Sequence, residues 1–325
     1  MPANLTPQYD KADKQYRQAA SDDERLEALR EMLRAIPKHK GTEKMQADLK
    51  RRISQLRKVV ARTSSGRGPD PFHVPKSGAG QVVLVGTPNA GKSSLLAATT
   101  HASVKVTDYP FATALPTPGM WAYDDAQIEL VDTPPVTAEH VPAGLISTIR
   151  AADVIAVVVD ATEPLRQADR VLDLLAARKL HLRSVPRTQL DASDPSQRSG
   201  LVVATQVDRA PADDVTVLRE LYAGQIDVLA VSAVTGEGLD ALRDRLWQML
   251  AVLRVYTKKP GQDPDNAQPF TLSVGATVED LARAIHRELP ETMKSARLWG
   301  HGRFAGQHVP KSEPLHDRDI VEIHE

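Results

Sequence analysis

The sequence has no cysteine, only four phenylalanines and three tryptophans among its 325 residues, and no surplus of either charge. Each shortage excludes something. Without cysteine there can be no disulfides and no thiolate metal sites, which fits a reducing compartment. Lys and Arg total 41 against 42 Asp and Glu, a formal net charge of −1. Any nucleic-acid contact must then come from a local patch. No apolar run approaches the roughly 20 residues of a membrane span. The longest, around Val154–Val159, reads as a buried parallel strand. The first residues lack the apolar core of a secretion signal. A cytoplasmic location and no membrane partner are expected. The ten histidines show no metal-ligand spacing.

The stretch that organises the chain is Gly86-Thr-Pro-Asn-Ala-Gly-Lys-Ser93. It follows the apolar run Val82–Val85 and precedes the helix-like run Ser94–Ala98. A tight loop at a helix start aims backbone N–H groups and the positive end of the helix dipole at one point, which suits a phosphate. Lys92 can reach the outer phosphates, and the Ser93 hydroxyl can ligate Mg²⁺. Gly86 and Gly91 permit close approaches that a Cβ would block.

Three regions are expected. Residues 1–68 form a basic helical arm. Asp22, Asp23 and Glu24 open a helix carrying Leu26, Leu29, Met32 and Leu33 at helical spacing. A second helix, about Thr42–Val60, has Met45, Leu49, Ile53 and Leu56 on one face. Its other face carries Lys50, Arg51, Arg52, Arg57 and Lys58, candidates for contact with an RNA backbone. The bland reading of that stripe is a solvated helix face. Residues 80–256 alternate strand and helix, which predicts an α/β domain with a mainly parallel sheet and helices on both faces. Met120–Val131 reads as an antiparallel hairpin, Gly238–Val255 as a helix, and Arg183–Ser199 as a surface loop. Lys258–Asp265 reads as a linker, and residues 266–325 as a small α+β domain in which Thr277 caps a helix.

Further chemistry lies beyond the phosphate loop. Asp132, after the apolar Leu130-Val131, can join Ser93 in the Mg²⁺ shell. Thr113, in Tyr109-Pro-Phe-Ala-Thr113, can offer its hydroxyl to the metal and its N–H to the γ-phosphate, so that this loop orders with a triphosphate. Thr205-Gln206-Val-Asp208 follows a buried strand, and the Asp208 carboxylate can accept both hydrogen bonds from the edge of guanine. Ser232-Ala233-Val234 follows the next strand and can direct a backbone N–H at guanine O6. The nucleotide-binding set is therefore Asn89, Ala90, Gly91, Lys92, Ser93, Ser94, Thr205, Gln206, Asp208, Ser232, Ala233 and Val234, with Lys92 and Thr113 as the catalytic candidates.

These motifs resemble the translation-factor-type GTPases of the Obg-related branch, and the developmentally regulated GTP-binding (DRG) family in particular. Gly86–Ser94, Tyr109–Gly119, Asp132-Thr-Pro and Ser232-Ala233 carry the similarity. Residues 269–325, through Pro269-Phe-Thr-Leu272 and Leu298-Trp-Gly300, resemble the TGS domain, a ubiquitin-like β-grasp module. The resemblance implies a P-loop GTPase fold, GTP and GDP with Mg²⁺, slow hydrolysis, and a role on the ribosome or structured RNA. The sequence also departs from the family. Its guanine motif Asn-Lys-x-Asp is here Thr205-Gln-Val-Asp208, and Pro135 stands where a glycine N–H would face the γ-phosphate. The family's insertion before the guanine motif is missing. Val136 occupies the position of the water-orienting glutamine of Ras-like enzymes. Relatives with an apolar residue there hydrolyse slowly, and some use K⁺ held partly by the residue equivalent to Asn89. The alternative is an RNA- or ribosome-binding adaptor whose nucleotide pocket has degenerated.

Overall fold

The computed structural model describes residues 9, 12, 16, 22–36, 45, 46, 49, 51–53, 70–100, 115–137, 141, 142, 144–301 and 304–324. Thr113, Lys50, Arg57 and Lys58 lie outside them. The chain divides into two compact units, Met1–Asp70 and Pro71–Glu325.

The first unit contains helix α1 (Asp22–Ala35). Leu29, Met32 and Ile36 are buried against Leu49, Ile53 and Ala12 in a core of their own. The 3.6-residue spacing of Leu29, Met32 and Leu33 accounts for that face. Arg51 and Arg52 are helical and exposed, as a basic outer stripe requires.

The second unit is built on a seven-stranded sheet in the order β2-β3-β1-β4-β6-β5, with β7 added to β6. The strands are β1 (Gln81–Val85), β2 (Thr117–Tyr123), β3 (Ala126–Asp132), β4 (Val154–Asp160), β5 (His181–Arg183), β6 (Gln197–Thr205) and β7 (Val228–Ala230). Only β2 runs antiparallel, paired with β3 through the expected hairpin. Alternation in β1 sends Val83 and Val85 to one face and Val82 and Leu84 to the other. Helices α3 (Leu145–Ala151), α4 (Pro164–Ala176) and α5 (Ala212–Leu221) cover the first face. Helices α2 (Lys92–Thr99) and α6 (Leu239–Leu250) cover the second. Behind the sheet, Asp153 is buried between Lys76, at 2.6 Å, and Arg187, while Glu129 accepts from Ser77 N and Gln81 Nε2. These bonds pin residues 74–81 along the start of β1. The stretch expected as a loop, Arg183–Ser199, is a connection without strand over residues 184–196, while its ends complete β5 and begin β6, because Gln197–Ser199 pair with His181–Arg183.

The junction to the C-terminal part also differs from expectation. Helix α6 stops at Leu250, where Ala251 turns left-handed with φ 51°, and Val252–Lys258 is strand β8. β8 belongs to the five-stranded sheet β11-β10-β12-β8-β9, formed with β9 (Asp265–Ser273), β10 (Ser295–Trp299), β11 (Gln307–Val309) and β12 (Asp319–His324). The apolar residues Val252, Leu253 and Val255 fit the helical period of α6, but they serve the second sheet. The supposed linker shrinks to a short turn between β8 and β9. Thr277 caps α7 (Val278–Ile285) in a reciprocal capping box with Asp280.

The two sheets meet at Arg254. This buried guanidinium bonds Asp317 Oδ2 at 2.6 Å, in the turn before β12, and Asp124 and Asp125, at 3.0 and 3.1 Å, on the tip of the β2–β3 hairpin. It also lies 5.4 Å from the Trp247 ring. Among the described residues no helix is long and apolar enough to cross a membrane.

Candidate functional site

Gly86–Ser93 joins β1 to α2 at the C-terminal edge of the sheet, the place where open α/β sheets bind ligands. Two contacts fix its path. A Cβ on Gly86 would sit 2.3 Å from Val158 O, and one on Gly91 would sit 2.7 Å from Thr205 Oγ1. Gly91 caps α2 with φ 83°, and Asn89 is also left-handed at φ 61°. The first N–H groups of α2 have no partners within the helix and face the loop end.

Lys92 is buried, and its ammonium curls back to donate to Thr87 O at 3.0 Å and Gly86 O at 3.2 Å. Burial pulls its pKa down to about 8, against an opposing pull from the Asp132 charge. Ser93 Oγ donates to Asp132 Oδ2 at 2.5 Å. Two oxygen donors this close, one a carboxylate, form the hard donor set that suits Mg²⁺.

The segment after Asp132 is tied down. Thr133 Oγ1 donates to Leu84 O at 2.6 Å, and Val136 N donates to Gly86 O at 3.1 Å. The Val136 side chain is 1 % exposed and packs in the core with Val85 and Leu145. This position therefore turns inward and presents no polar group to a nucleophile.

The base-side loops bond to the phosphate loop. Thr205 Oγ1 lies 2.8 Å from Ala90 O and 3.1 Å from Val159 O. Its single proton serves the nearer carbonyl. Gln206, left-handed at φ 60°, turns its amide back so that Nε2 donates to Asp160 Oδ2 at 3.0 Å and to Asn89 O at 3.4 Å. Ser232 Oγ donates to Asp208 Oδ1 at 2.5 Å and accepts from Val234 N and Thr235 N. One hydroxyl thus holds both the carboxylate and the loop expected to read guanine. Asp208 is exposed, open to a ligand edge, and the Val234 side chain stands out at 85 % exposure.

The structure thus brings together Asn89, Ala90, Gly91, Lys92, Ser93, Asp132, Thr205, Gln206, Asp208 and Ser232. Three partners escaped the sequence reading. Asp160 ends β4 and anchors Gln206. Gln167 Oε1 accepts from Thr87 Oγ1 at 2.9 Å and from Asp160 N at 3.1 Å, linking the phosphate loop to α4. Thr133 fastens the segment after Asp132 to β1. A carboxylate ending a central parallel strand was the one signal available, at Asp160.

A glycine-cradled phosphate loop at the sheet edge, an oxygen pair for Mg²⁺ and a clamped aspartate beside it define a P-loop GTPase. Residues 81–185 match the family described as 50S ribosome-binding GTPase, and residues 253–325 match the TGS domain. Relatives align along most of the chain. Developmentally-regulated G-protein 2 of Arabidopsis thaliana is 28% identical over 92% of this chain and 90% of its own length. GTP-binding protein 1 of Schizosaccharomyces pombe is 27% identical over 92% and 98%. Among solved structures, a tyrosine-to-alanine variant of Aquifex aeolicus Era bound to GDP.AlF4- overlaps at TM-score 0.41 and 21% identity, covering 70% of this chain and 73% of that one, too loose a likeness to carry more. The chain carries a P-loop GTPase domain and a C-terminal TGS domain, and along most of its length it is similar to DRG proteins. The TGS match starts at β8, in agreement with the sheet and ahead of the expected residue 266.

Proposed function

We propose that this GTPase is a slow nucleotide switch acting on the ribosome or on structured RNA. The observation that carries the reading is the intact bracing of the base site despite its altered motif: Ser232 holds Asp208 at 2.5 Å, and Thr205 holds the phosphate loop at 2.8 Å. In this reading Asp208 selects guanine, while Ala233 and Val234 contribute backbone to its O6. The N–H groups around Asn89–Ser94 cradle the phosphates, and Lys92 exchanges its two carbonyl partners for phosphate oxygens. Ser93 and Asp132 hold Mg²⁺, joined by Thr113 when GTP is bound. The metal would neutralise charge developing on the phosphoryl oxygens. Hydrolysis is slow because Val136 is buried and cannot position water. Asn89 is the proposed K⁺ ligand, and a monovalent cation would add to the positive charge that Lys92 brings to the phosphates. The basic residues Lys50, Arg51, Arg52, Arg57 and Lys58 and, separately, the TGS domain are the proposed RNA-contacting elements.

The adaptor reading rests on Pro135, Val136 and the altered Thr205-Gln206, and the clamped Asp208 speaks against it. Single-turnover GTP hydrolysis in KCl and in NaCl, with and without ribosomes, tests both. Slow turnover, faster in K⁺ and faster again with ribosomes, is expected. No turnover under any condition would favour the adaptor, and turnover indifferent to ribosomes and RNA would refute the partner assignment.

A further inference from the structure

The guanine motif lacks the lysine whose stem covers the base in the family pattern, and Gln206 stands in its place. The left-handed backbone of Gln206 and its bonds to Asp160 Oδ2 and Asn89 O hold the amide down on the phosphate loop. The other end of that amide is also engaged: Gln206 Oε1 accepts from Arg209 Nη1 at 3.0 Å. Arg209 follows Asp208 directly and is exposed. Its guanidinium is therefore held beside the side chain that stands at the family's base-covering position, while Ser232 holds the neighbouring Asp208 carboxylate.

We propose that Arg209, steered by Gln206, forms the wall that covers the guanine ring in this protein. A guanidinium is planar, always charged and weakly hydrated, and it stacks on aromatic faces. It supplies both the flat surface and the positive charge that the Lys-to-Gln change removed. The Asp160–Gln206–Arg209 chain fixes that surface before the ligand arrives. The proposal rests on the guanine-site reading above.

The test is calorimetric titration of the full chain with GMP, GDP and ADP. The variants are Arg209→Ala, Arg209→Lys, Gln206→Lys and the double change Arg209→Ala/Gln206→Lys. Loss of one stacked cation predicts about 5- to 10-fold weaker GDP binding for Arg209→Ala. The fold loss should be equal for GMP and GDP, because a base wall does not sense phosphate number. The double variant should recover to within about threefold of wild type, since a lysine at 206 restores the missing cover; a merely misfolded Arg209→Ala protein would not be rescued. Arg209→Lys should fall between wild type and Ala. Wild-type affinity in Arg209→Ala would overturn the proposal while leaving the guanine site standing. A loss that grows from GMP to GDP would overturn it by placing Arg209 on the phosphates. Wild-type protein binding neither GDP nor ADP would overturn the guanine-site reading and this proposal together.

Discussion

Replacing Thr205 with valine removes one O–H and almost no volume. In the structure that proton is committed to Ala90 O at 2.8 Å, inside a residue that is 1 % exposed. The asparagine of the family motif has two amide donors and could serve Ala90 O and Val159 O together; threonine serves one. Stranding a buried carbonyl costs about 1–3 kcal/mol, so about 2 kcal/mol is the expected loss. Two observables share it. If the phosphate loop keeps its path in the free protein, the loss appears as a fall in Tm of roughly 4–8 °C. If the loop relaxes and must re-form on the ligand, it appears as weaker GDP binding, up to about 30-fold. The two should sum to the same ~2 kcal/mol. Thr205→Ser keeps the donor and should stay near wild type on both. Differential scanning calorimetry and titration on the same preparations give both numbers. Valine and serine variants that both match wild type would refute the brace.

Other outcomes follow from neighbouring geometry. Lys92 titrates near 8 in the fold and near 10.5 in the unfolded chain. Between those values the unfolded chain binds the extra proton, so stability of the nucleotide-free protein should rise with pH across that window. Phosphate favours the charged amine, so GDP binding should weaken above pH 8 with net proton uptake, read as a dependence of calorimetric enthalpy on buffer ionisation; uptake absent at about pH 9 would sink this. Arg254→Ala removes the cation shared by Asp124, Asp125 and Asp317 and leaves Asp124 with Arg318. Because these carboxylates are partly exposed, the expected cost is about 2–3 kcal/mol, a Tm fall of roughly 5–10 °C. An unchanged melting curve would mean the two sheets do not rely on this contact. Gly91→Ala places a Cβ against Thr205 in a left-handed conformation and should lose GDP affinity as well as stability, measured by the same titration.

Much of the fold could be read because its signals are local. The phosphate loop is set by closely spaced glycines between a strand and a helix, and the central strands are unbroken apolar runs. The box at Thr277 needs residues only three apart. What escaped depends on distant partners or on ambiguous periods. Val252–Val255 continue the apolar spacing of α6, and no glycine or proline marks the break; only the pairing of β8 with β9 and β12 reveals a strand. Arg254 looks like a surface residue until the Asp124 and Asp125 tip is folded against it. The role of Thr205 as a brace was legible as a departure from a motif, but the Gln206 bond to Asp160 spans 46 residues and needs the sheet. Val136 could be seen as an apolar substitution, whereas its burial comes with the bond between its N–H and Gly86 O.

The most direct test of the central claim, a guanine-specific pocket that survives the Thr205-Gln206 change, is calorimetric titration of the full chain with GDP and then ADP, in Mg²⁺ and KCl. Micromolar GDP binding with no detectable ADP heat is expected. Equal binding of the two, or binding of neither, would contradict the role assigned to Asp208 and the pocket built around it.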